Sequence, residues 1–428
     1  MELLNDLDRV ALVAVHARTG IVALNVLTAA LRHDPRTRHI TIHFARPPEA
    51  VIEATRALAT GGRTVLVAWS FYSTDLDPTL AALGDVRAGT AGLAGVIHVA
   101  GGVHATAEPL ATLDAGFDYV ALGEGERTLV DLVLACAAGR SPREVQGIGW
   151  REGAVLRSNG YGAREPLDAH PAFNDVDGKY NAIEITRGCV YACSFCQTPF
   201  MFKARFRHRG VEDVRAHAAI LRARGMRDVR FLTPTSLSYG SEDESVNLDA
   251  VEALLAGVRE AVGAQGRIFF GTFPSEVRPE HVTPEAMRVL KRYVANDNLV
   301  IGAQSGSQRV LDRTRRGHSV EDIDRAVAVA KAHGFRPNVD FLFGACDETE
   351  DDAEASIALM RRLTEQGARI HVHAFMPLPG TPLRDAPAGT VPPRVAAVLS
   401  ELEAKGRSYG PWRQHLVSAQ ALARRRAH

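Results

Sequence analysis

The sequence lacks any excess of charge of one sign, because 50 lysine and arginine residues balance 50 aspartate and glutamate residues. A chain with no formal net charge has no overall field to draw it to nucleic acid or to an anionic membrane. Long apolar runs are also missing, since none approaches the roughly 20 residues that a membrane span needs. We therefore expect neither a nucleic-acid partner nor a membrane partner.

Cysteine is scarce as well, with five residues in a chain of 428. So few cysteines in a chain of this length exclude the disulfide scaffold of a small secreted protein. The first residues, Met1 to Arg9, are charged and lack the apolar core of a signal peptide. We expect a cytoplasmic protein of two or three domains.

Three of the five cysteines, Cys189, Cys193 and Cys196, form a C-x3-C-x2-C pattern directly after an apolar-alternating run. Three thiolates can hold three irons of a 4Fe–4S cluster, which normally takes four cysteines, so one iron would remain open to another ligand. A zinc site stays possible, although it usually needs four ligands and only His208 lies nearby. A disulfide would leave an odd thiol, and a C-x2-C redox pair would not require Cys189.

This cysteine spacing resembles the signature of the radical SAM enzymes, which cleave S-adenosylmethionine (SAM). The resemblance implies that Cys189, Cys193 and Cys196 bind a 4Fe–4S cluster and take part in catalysis. The cluster would reduce SAM to methionine and a 5′-deoxyadenosyl radical, which abstracts hydrogen from a substrate. By the same resemblance, Phe195 would stack near the adenine of SAM.

The first 150 residues alternate between short apolar runs and helical patterns, which predicts a parallel sheet with helices on both faces. The expected strands are Val10–Val15, His39–Phe44, Thr64–Trp69, Val96–Val99 and Tyr119–Leu122. The expected helices are Ile21–Leu31, Pro48–Ala59, Ala107–Leu113 and Arg127–Ala137. Ligands of such sheets bind beyond the carboxyl ends of the strands.

The loops at those strand ends resemble the cobalamin-binding domain that precedes many radical SAM domains. Ser70 follows the third strand, and Gly101, Gly102 and His104 follow the fourth in a G-G-x-H-A-T motif. The resemblance implies that these four residues bind cobalamin. A Rossmann dinucleotide site is the competing interpretation, but no G-x-G-x-x-G follows the first strand.

The metal-ligand motif of cobalamin-binding domains, D-x-H-x-x-G, is absent after the first strand. Ala14 replaces the aspartate, and Gly20 lies one residue too far from His16. The resemblance then implies cobalamin bound with no histidine on cobalt. His16 as the lower ligand, and a vestigial domain that binds no cobalamin, remain open.

Two stretches separate the halves of the chain. Gly147 to Leu156 alternates around a Glu-Gly turn and predicts a hairpin, and Asn159 to Gly178 has the composition of a linker. We therefore divide the chain into a Rossmann-like cobalamin-binding domain at 1–150, a linker with a hairpin at 151–180, a radical SAM domain at 181–385 and a helical extension at 386–428.

The second half again alternates strands and helices, in about six βα units. The expected strands after the cysteine loop are Val229–Leu232, Ile268–Thr272, Leu299–Ala303, Asn338–Phe343 and Arg369–Phe375. The expected helices are Val211–Arg224, Leu248–Val262, Pro284–Tyr293, Val320–His333 and Asp351–Glu365, with Val391–Lys405 and His415–Arg426 in the tail. The fold class is therefore α/β: a doubly wound domain, a partial (βα)6 TIM-type barrel and a short helical tail.

Active-site residues of such barrels lie at the carboxyl ends of the strands. By resemblance to radical SAM domains, the loops found there bind SAM. The implied SAM-binding residues are Thr233 and Thr235 after the second strand, Gln304, Ser305 and Ser307 after the fourth, and Phe343 after the fifth.

Other residues carry weaker signals. Each arginine of the basic segment Lys203 to Arg209 is expected at the surface, although an arginine there could pair with a carboxylate. Cys346 reads as a core or loop residue and not as a fourth cluster ligand. Glu276 and Asp340 could each act as a general base, and the sequence does not decide between them.

Taken together, these patterns predict a cobalamin-dependent radical SAM enzyme that methylates carbon in an unknown small-molecule or peptide substrate. The resemblance also implies an electron donor such as flavodoxin or ferredoxin. Radical cyclisation or rearrangement with cobalamin is an alternative reaction. A non-catalytic iron–sulfur or cobalamin sensor is an alternative function.

Overall fold

The computed structural model describes residues 7–345 and 347–426. Cys346, expected in the core or a loop, lies outside the described residues. The chain divides into two compact units, the first ending at Asn181 and the second beginning at Ala182. No helix among the described residues is both long and apolar enough to cross a membrane.

The first unit alternates strands and helices along the chain. Its strands are β1 (Val10–Val15), β2 (Thr41–Ala45), β3 (Thr64–Ser70), β4 (Val96–Gly101), β5 (Tyr119–Ala121), β6 (Ile148–Glu152) and β7 (Val155–Ser158). Its helices are α1 (Ile21–His33), α2 (Pro48–Ala59), α3 (Leu76–Gly89), α4 (Gly102–Ala107), α5 (Pro109–Asp114) and α6 (Glu126–Ala137).

These strands form one sheet in the order β2-β1-β3-β4-β5-β6-β7. Strands β1 to β5 are parallel, and β6 and β7 are antiparallel additions at one edge. Alternate residues of β1 enter different cores: Leu12 packs with α1 and α6, whereas Val13 packs with α2 and α3. The sheet is therefore doubly wound. Its chain order reverses between β1 and β3, where such folds open a ligand crevice.

Three parts of the first unit differ from the sequence-based expectation, and one is that the G-G-x-H-A-T motif begins a short helix, α4, where a strand-end loop was expected. Helix α3 was not predicted, although it buries Leu76, Leu83 and Val86. Pro78 stands in its first turn, where proline is tolerated and does not interrupt a helix. The hairpin expected in the linker instead extends the sheet, because Ile148 is completely buried in the core.

The second unit begins with β8 (Ile183–Glu184). The strands that follow are β9 (Thr186–Arg187), β10 (Arg207–His208), β11 (Asp228–Leu232), β12 (Arg267–Phe269), β13 (Asn298–Gln304), β14 (Arg336–Phe343), β15 (Arg369–Ala374) and β16 (Ser408–Tyr409). Its helices are α7 (Thr198–Met201), α8 (Val211–Ala223), α9 (Leu248–Val262), α10 (Pro284–Tyr293), α11 (Gln308–Arg313), α12 (Val320–Ala332), α13 (Glu350–Glu365), α14 (Pro393–Ala404) and α15 (Trp412–Arg426).

The parallel strands of this unit form two runs, β12-β11-β8 and β13-β14-β15-β16. A parallel bridge between Val277 and Ile301 joins the two runs. Along β14, Val339, Phe341 and Phe343 are buried, while the alternate residues Asp340 and Leu342 are only half-buried. Apolar residues thus cover one face of the strands and leave polar groups on the other. The predicted α/β fold class is confirmed, with a parallel-sheet unit followed by a partial barrel.

Candidate active site

The cysteine loop follows β8 and β9 and returns through β10, which pairs with β9. Gly188 and Ala192 hold this loop in shape with positive φ angles of 84° and 50°. The Cys196 N–H donates to the Cys193 carbonyl at 3.0 Å, which closes a tight turn between the two cysteines. All three cysteines are free and pack in one small cluster. The structure therefore brings the three predicted cluster ligands together.

The chemistry of these thiols fits a bound metal cluster. Burial raises the pKa of Cys189 to about 11 and also raises the pKa of Cys196. Without a cation, both thiols would remain protonated at neutral pH, and only a thiolate ligates a metal. A cluster held by these thiolates would therefore displace their protons on binding.

Two arginines that the sequence analysis did not assign to the site lie beside this loop. Arg316 donates from Nη1 to the Cys193 Sγ at 3.3 Å and from Nη2 to the Gly302 carbonyl at 2.6 Å. The guanidinium of Arg278 lies 3.5 Å from the centroid of the Tyr191 ring. Both groups put positive charge near sulfurs that become negative when they bind iron. Arg316 lies in Arg315-Arg316-Gly317-His318, which the family resemblance pairs with the SAM-binding loop after β13, whereas no motif next to Arg278 predicts its role.

Tyr191, in the middle of the loop, is a packing residue. It is 7% exposed, and its hydroxyl lies 2.8 Å from the His281 Nε2 and 3.0 Å from the Glu244 carbonyl. The surface position expected for Arg209 is wrong, because this residue is only 2% exposed. Its guanidinium donates to the Glu184 carbonyl and to Asp213, which fixes the chain leaving the loop.

The loop after β11 presents hydroxyl groups at a strand end. Thr233 donates to the Thr235 carbonyl at 3.2 Å. Thr235 is 2% exposed, and its own hydroxyl finds no partner among the described residues. A buried polar atom without a partner is unfavourable unless a ligand or water satisfies it. Thr235 therefore fits the predicted contact with SAM.

Gln304, at the end of β13, has a φ of 77°, which few non-glycine residues adopt. Such strained conformations cluster at active sites and ligand clamps. The next two predicted SAM residues, Ser305 and Ser307, have hydroxyl groups that bond within the protein. Ser305 lies 3.3 Å from the Ser356 hydroxyl, and Ser307 donates to Asp352 at 2.5 Å, so both hydroxyls hold the loop against α13.

The resemblance implies that Phe195 stacks near adenine and that a backbone edge at Phe343 meets it, and the two residues lie in different surroundings. Phe195 is half-buried and packs against the cysteine cluster, as a residue near SAM would. Phe343 is 1% exposed and stacks on Phe341 with ring centroids 6.1 Å apart. Its ring belongs to the core, so a contact between Phe343 and adenine would have to involve the backbone.

In the first unit, the predicted cobalamin residues meet at the carboxyl edge of β3 and β4. A side chain on Gly20 would reach within 2.1 Å of the Ser70 carbonyl, and one on Gly102 within 2.9 Å of the Ser70 hydroxyl. Gly102 also has a φ of 86°, whereas Gly101 has more room around it. Glycine thus allows these loops to approach each other closely, and we call the group of Gly20, Ser70, Gly101 and Gly102 at this strand edge the cradle.

The fourth predicted cobalamin residue, His104, lies in α4, the helix that begins at Gly102. It is 4% exposed, and its Nδ1 lies 2.9 Å from the Ser73 hydroxyl. Burial lowers the pKa of His104 to about 4, so its ring is neutral at physiological pH. His16, the possible cobalt ligand, has its Nε2 2.9 Å from the side-chain oxygen of Asn25. One of the two ring nitrogens of His16 therefore has a protein partner.

A second group of polar residues combines Asp340 and Glu276, the two possible general bases, with two histidines that were not assigned from the sequence. Asp340 lies on β14 beside His371 of β15, and His373 lies two residues further along β15. Burial raises the pKa of Asp340 and lowers that of His373 to about 3. Burial also raises the pKa of Glu276 to about 7. The sequence did contain one signal for this group. His371 and His373 are spaced H-x-H on a strand, and residues i and i+2 of a strand share a face.

Comparison with known proteins finds relatives of this sequence. Residues 183–360 match the model of the radical SAM superfamily. The chain is 27% identical over 310 residues to an uncharacterised methyltransferase of Pyrococcus horikoshii, a match that covers 67% of this chain and 62% of that protein. It is 28% identical over 219 residues to tRNA-2-methylthio-N(6)-dimethylallyladenosine synthase of Neisseria gonorrhoeae, covering 50% of this chain and 48% of that protein. The chain thus spans about half to three fifths of these curated relatives.

Solved structures share the fold across both units. The radical SAM methyltransferase TsrM from Kitasatospora setae, with cobalamin and a 4Fe–4S cluster bound, superposes with a TM-score of 0.68 at 17% identity, covering 89% of this chain and 74% of that one. The cobalamin-dependent SAM radical enzyme OxsB superposes with a TM-score of 0.66 at 16% identity, covering 82% of this chain and 51% of that one. Residues 183–360, which contain the cysteine loop, are therefore a radical SAM region.

Proposed function

We propose that this protein is a cobalamin-dependent radical SAM enzyme that methylates a carbon atom of its substrate. The observation that carries the proposal is the loop of Cys189, Cys193 and Cys196, in which the half-buried Cys189 and Cys196 pack with the buried Cys193 after the first barrel strand. A 4Fe–4S cluster bound there would supply an electron to SAM and keep one iron free to hold it.

The residues around the loop have separable tasks in this proposal. Arg316 stabilises the thiolate of Cys193 through its 3.3 Å contact. The strained Gln304 and the Thr235 hydroxyl, which has no partner among the described residues, hold SAM at the ends of β13 and β11. Phe195 packs beside the cysteines and excludes water from the site.

The cobalamin part of the proposal rests on the first unit. The cradle of Gly20, Ser70, Gly101 and Gly102, with His104 in the helix that follows, fits a large ligand at the carboxyl edge of a doubly wound sheet. Cobalamin bound there would supply the methyl group. The solved structures with this fold bind cobalamin, which favours this cofactor over a dinucleotide.

The methylthiotransferase reaction named for several relatives is less well supported. By family resemblance, radical SAM methylthiotransferases carry a second set of cysteines in their N-terminal domain. Residues 1–181 of this chain contain one cysteine, Cys136.

A sensor that binds the same cofactors without cleaving SAM is the second candidate function. We also propose a cytoplasmic enzyme that takes its electron from flavodoxin or ferredoxin, because free thiols persist in reducing compartments.

The test is anaerobic reconstitution with iron and sulfide, followed by dithionite and SAM. We expect 5′-deoxyadenosine to form with wild type and with Cys136→Ala, whose thiol lies in the core of the first unit. We expect Cys193→Ala to lose the cluster absorbance and, by order of magnitude, about 100-fold of the product, because cluster chemistry initiates the reaction. If wild-type protein with a verified cluster forms no 5′-deoxyadenosine, the enzyme proposal fails and the sensor remains.

A further inference from the structure

Three side chains inside the second unit have no task in the proposed reaction. Asp340 on β14 and His371 and His373 on β15 each offer one ligand atom, and these atoms all lie within 4.8 Å of one another. The strand register pairs Asp340 directly with His371. His373 shares the face of His371 because alternate residues of a strand project to the same side. The sheet itself therefore brings a carboxylate and two imidazoles together.

The distances in this group suit two neighbouring ligands of one ion. The Asp340 Oδ1 and the His371 Nδ1 are 2.9 Å apart, a separation that fits a hydrogen bond or adjacent positions around a metal. The His371 and His373 rings meet edge to face, with centroids 4.3 Å apart. Little rearrangement would be needed to direct three ligand atoms at one point.

Aromatic neighbours fix the orientation of both imidazoles. Tyr409 stacks on His371 at 4.6 Å with an angle of 15° between the rings. His415 stacks on His373 at 5.4 Å with an angle of 14°. Metal sites depend on surrounding groups of this kind, which hold the ligand rings in one orientation.

The polar surroundings also favour a cation. Asn338, two residues before Asp340 on the same strand, is 6% exposed, and its side-chain oxygen finds no partner among the described residues. The carboxyl group of Glu276 interacts electrostatically with Asp340 and His371. The nearby cation Arg316 acts on Asp340 but donates its described hydrogen bonds to Cys193 and Gly302. The group thus combines carboxyl oxygens, an amide oxygen and two imidazoles, with the three proposed ligands half-buried.

We propose that Asp340, His371 and His373 bind one divalent first-row transition-metal ion. Two histidines and one carboxylate form the ligand set that such ions adopt in proteins. Three protein ligands leave a coordination position for water or for an oxygen or nitrogen atom of the substrate. An ion there would polarise that group and orient the substrate in the barrel. None of these residues is a cluster ligand, so the inference does not depend on the proposed function.

Zinc is the probe for this site. The protein is first loaded with its 4Fe–4S cluster, so that the three loop cysteines cannot bind zinc, and is then dialysed against buffered Zn²⁺. Zinc, iron and cobalt are counted separately by mass spectrometry, so neither the cluster nor cobalamin is counted as zinc. We expect one tightly bound zinc per chain in wild type.

Matched variants locate the zinc. We expect Asp340→Asn and the double variant His371→Gln/His373→Gln to weaken zinc binding by more than the roughly 10–100-fold that loss of an outer-shell partner costs. His333→Gln is the control, because this histidine ends α12 and binds the Val329 carbonyl at 2.9 Å. It should bind zinc as wild type does.

Two further measurements guard against misfolding and misplaced zinc. The variants should keep wild-type iron content and melting temperature, which shows that the barrel is intact. Zinc X-ray absorption should show nitrogen and oxygen ligands, without the sulfur shell at about 2.3 Å that cysteine gives. The proposal is overturned if cluster-loaded wild type binds no zinc, or if the double variant binds it equally well. The 5′-deoxyadenosine assay runs without zinc, so its failure is a separate result.

Discussion

Gly188 directly precedes the first cysteine of the loop, with a φ of 84°. A side chain there would lie 2.1 Å from the Arg205 carbonyl, which is backbone and cannot move aside alone. We expect Gly188→Ala to cost more than the ~1–2 kcal/mol of a left-handed residue, because the returning strand must also shift. Thermal unfolding would measure the cost, and iron content would show the loss of the cluster.

The matched control for that change is Gly225→Ala. Gly225 has a φ of 80°, but nothing lies within 4 Å of the position that an added Cβ would take. Only the conformational strain of about 1 kcal/mol therefore remains. Full iron content is expected in this variant. Equal iron loss in the two variants would show that the close approach to Arg205 is irrelevant.

His104 makes the stability of the first unit depend on pH. Burial lowers its pKa to about 4 from an ordinary value of 6.5. The unfolded chain therefore binds a proton as the pH falls below 6.5 while the folded chain does not, so stability is lost between pH 6.5 and pH 4. At about pH 5, the loss from His104 amounts to about 2 kcal/mol relative to neutral pH.

The measurement is urea unfolding of wild type and of His104→Gln at about pH 7 and about pH 5, followed by tryptophan fluorescence. We expect a smaller loss of stability at the lower pH in the variant. Part of the loss should persist, because burial also lowers the pKa of His98 to about 4. An identical loss in both proteins would mean that His104 is not the titrating group.

At the scale of elements, α13 holds the loop that follows β13. Ser356 accepts a hydrogen bond from the Gly306 N–H at 2.9 Å, and a side chain on Gly306 would collide with the backbone of α13. We expect Ser356→Ala to cost about 1–3 kcal/mol, because it leaves that N–H without its partner. Binding of SAM should weaken as well, since the loop also contains Gln304.

Thermal unfolding and equilibrium dialysis with SAM test the two effects. Ser400→Ala is the matched control on α14, where an exposed serine donates to the preceding turn of its own helix and accepts a long bond of 3.4 Å from Arg413, which also bonds Glu403. It should leave both quantities unchanged. Wild-type stability in Ser356→Ala would contradict the assigned role of α13.

Most elements were predictable because their patterns are local. Helix α2 and strand β1 begin and end at the predicted residues, where proline and alternating apolar residues mark the boundaries. Helix α3 was not predicted because its proline, considered without the surrounding residues, suggests a break in a helix. The uses of Ser305 and Ser307 were not predictable, because their partners on α13 are 51 and 45 residues away in sequence. Nor could periodicity show that His371 meets Asp340, since strand register depends on the whole sheet.

At the scale of the whole molecule, the two proposed cofactors have separate sets of residues. The cluster ligands belong to the unit that begins at Ala182, and the cobalamin cradle to the unit that ends at Asn181. Each unit has its own buried core. The domain boundaries at 150, 180 and 385 stay predictions. The placement of the two cofactor sites in different units can be tested by experiment.

A pair of variants should therefore remove the two cofactors independently. We expect Gly20→Ala to lose cobalamin, because the added carbon would displace the Ser70 carbonyl that forms the cradle, while iron content and 5′-deoxyadenosine formation remain. Cys193→Ala should show the reverse, with cobalamin retained and iron lost. Gly84→Ala is the control for the first change, since it lies in α3 with nothing within 4 Å of the added carbon.

Melting curves must show a folded first unit in each case. If folded Gly20→Ala retains cobalamin at wild-type stoichiometry, the cradle is misassigned. If it loses iron together with cobalamin, the two sites are not independent, because a change confined to one unit has then disabled the other.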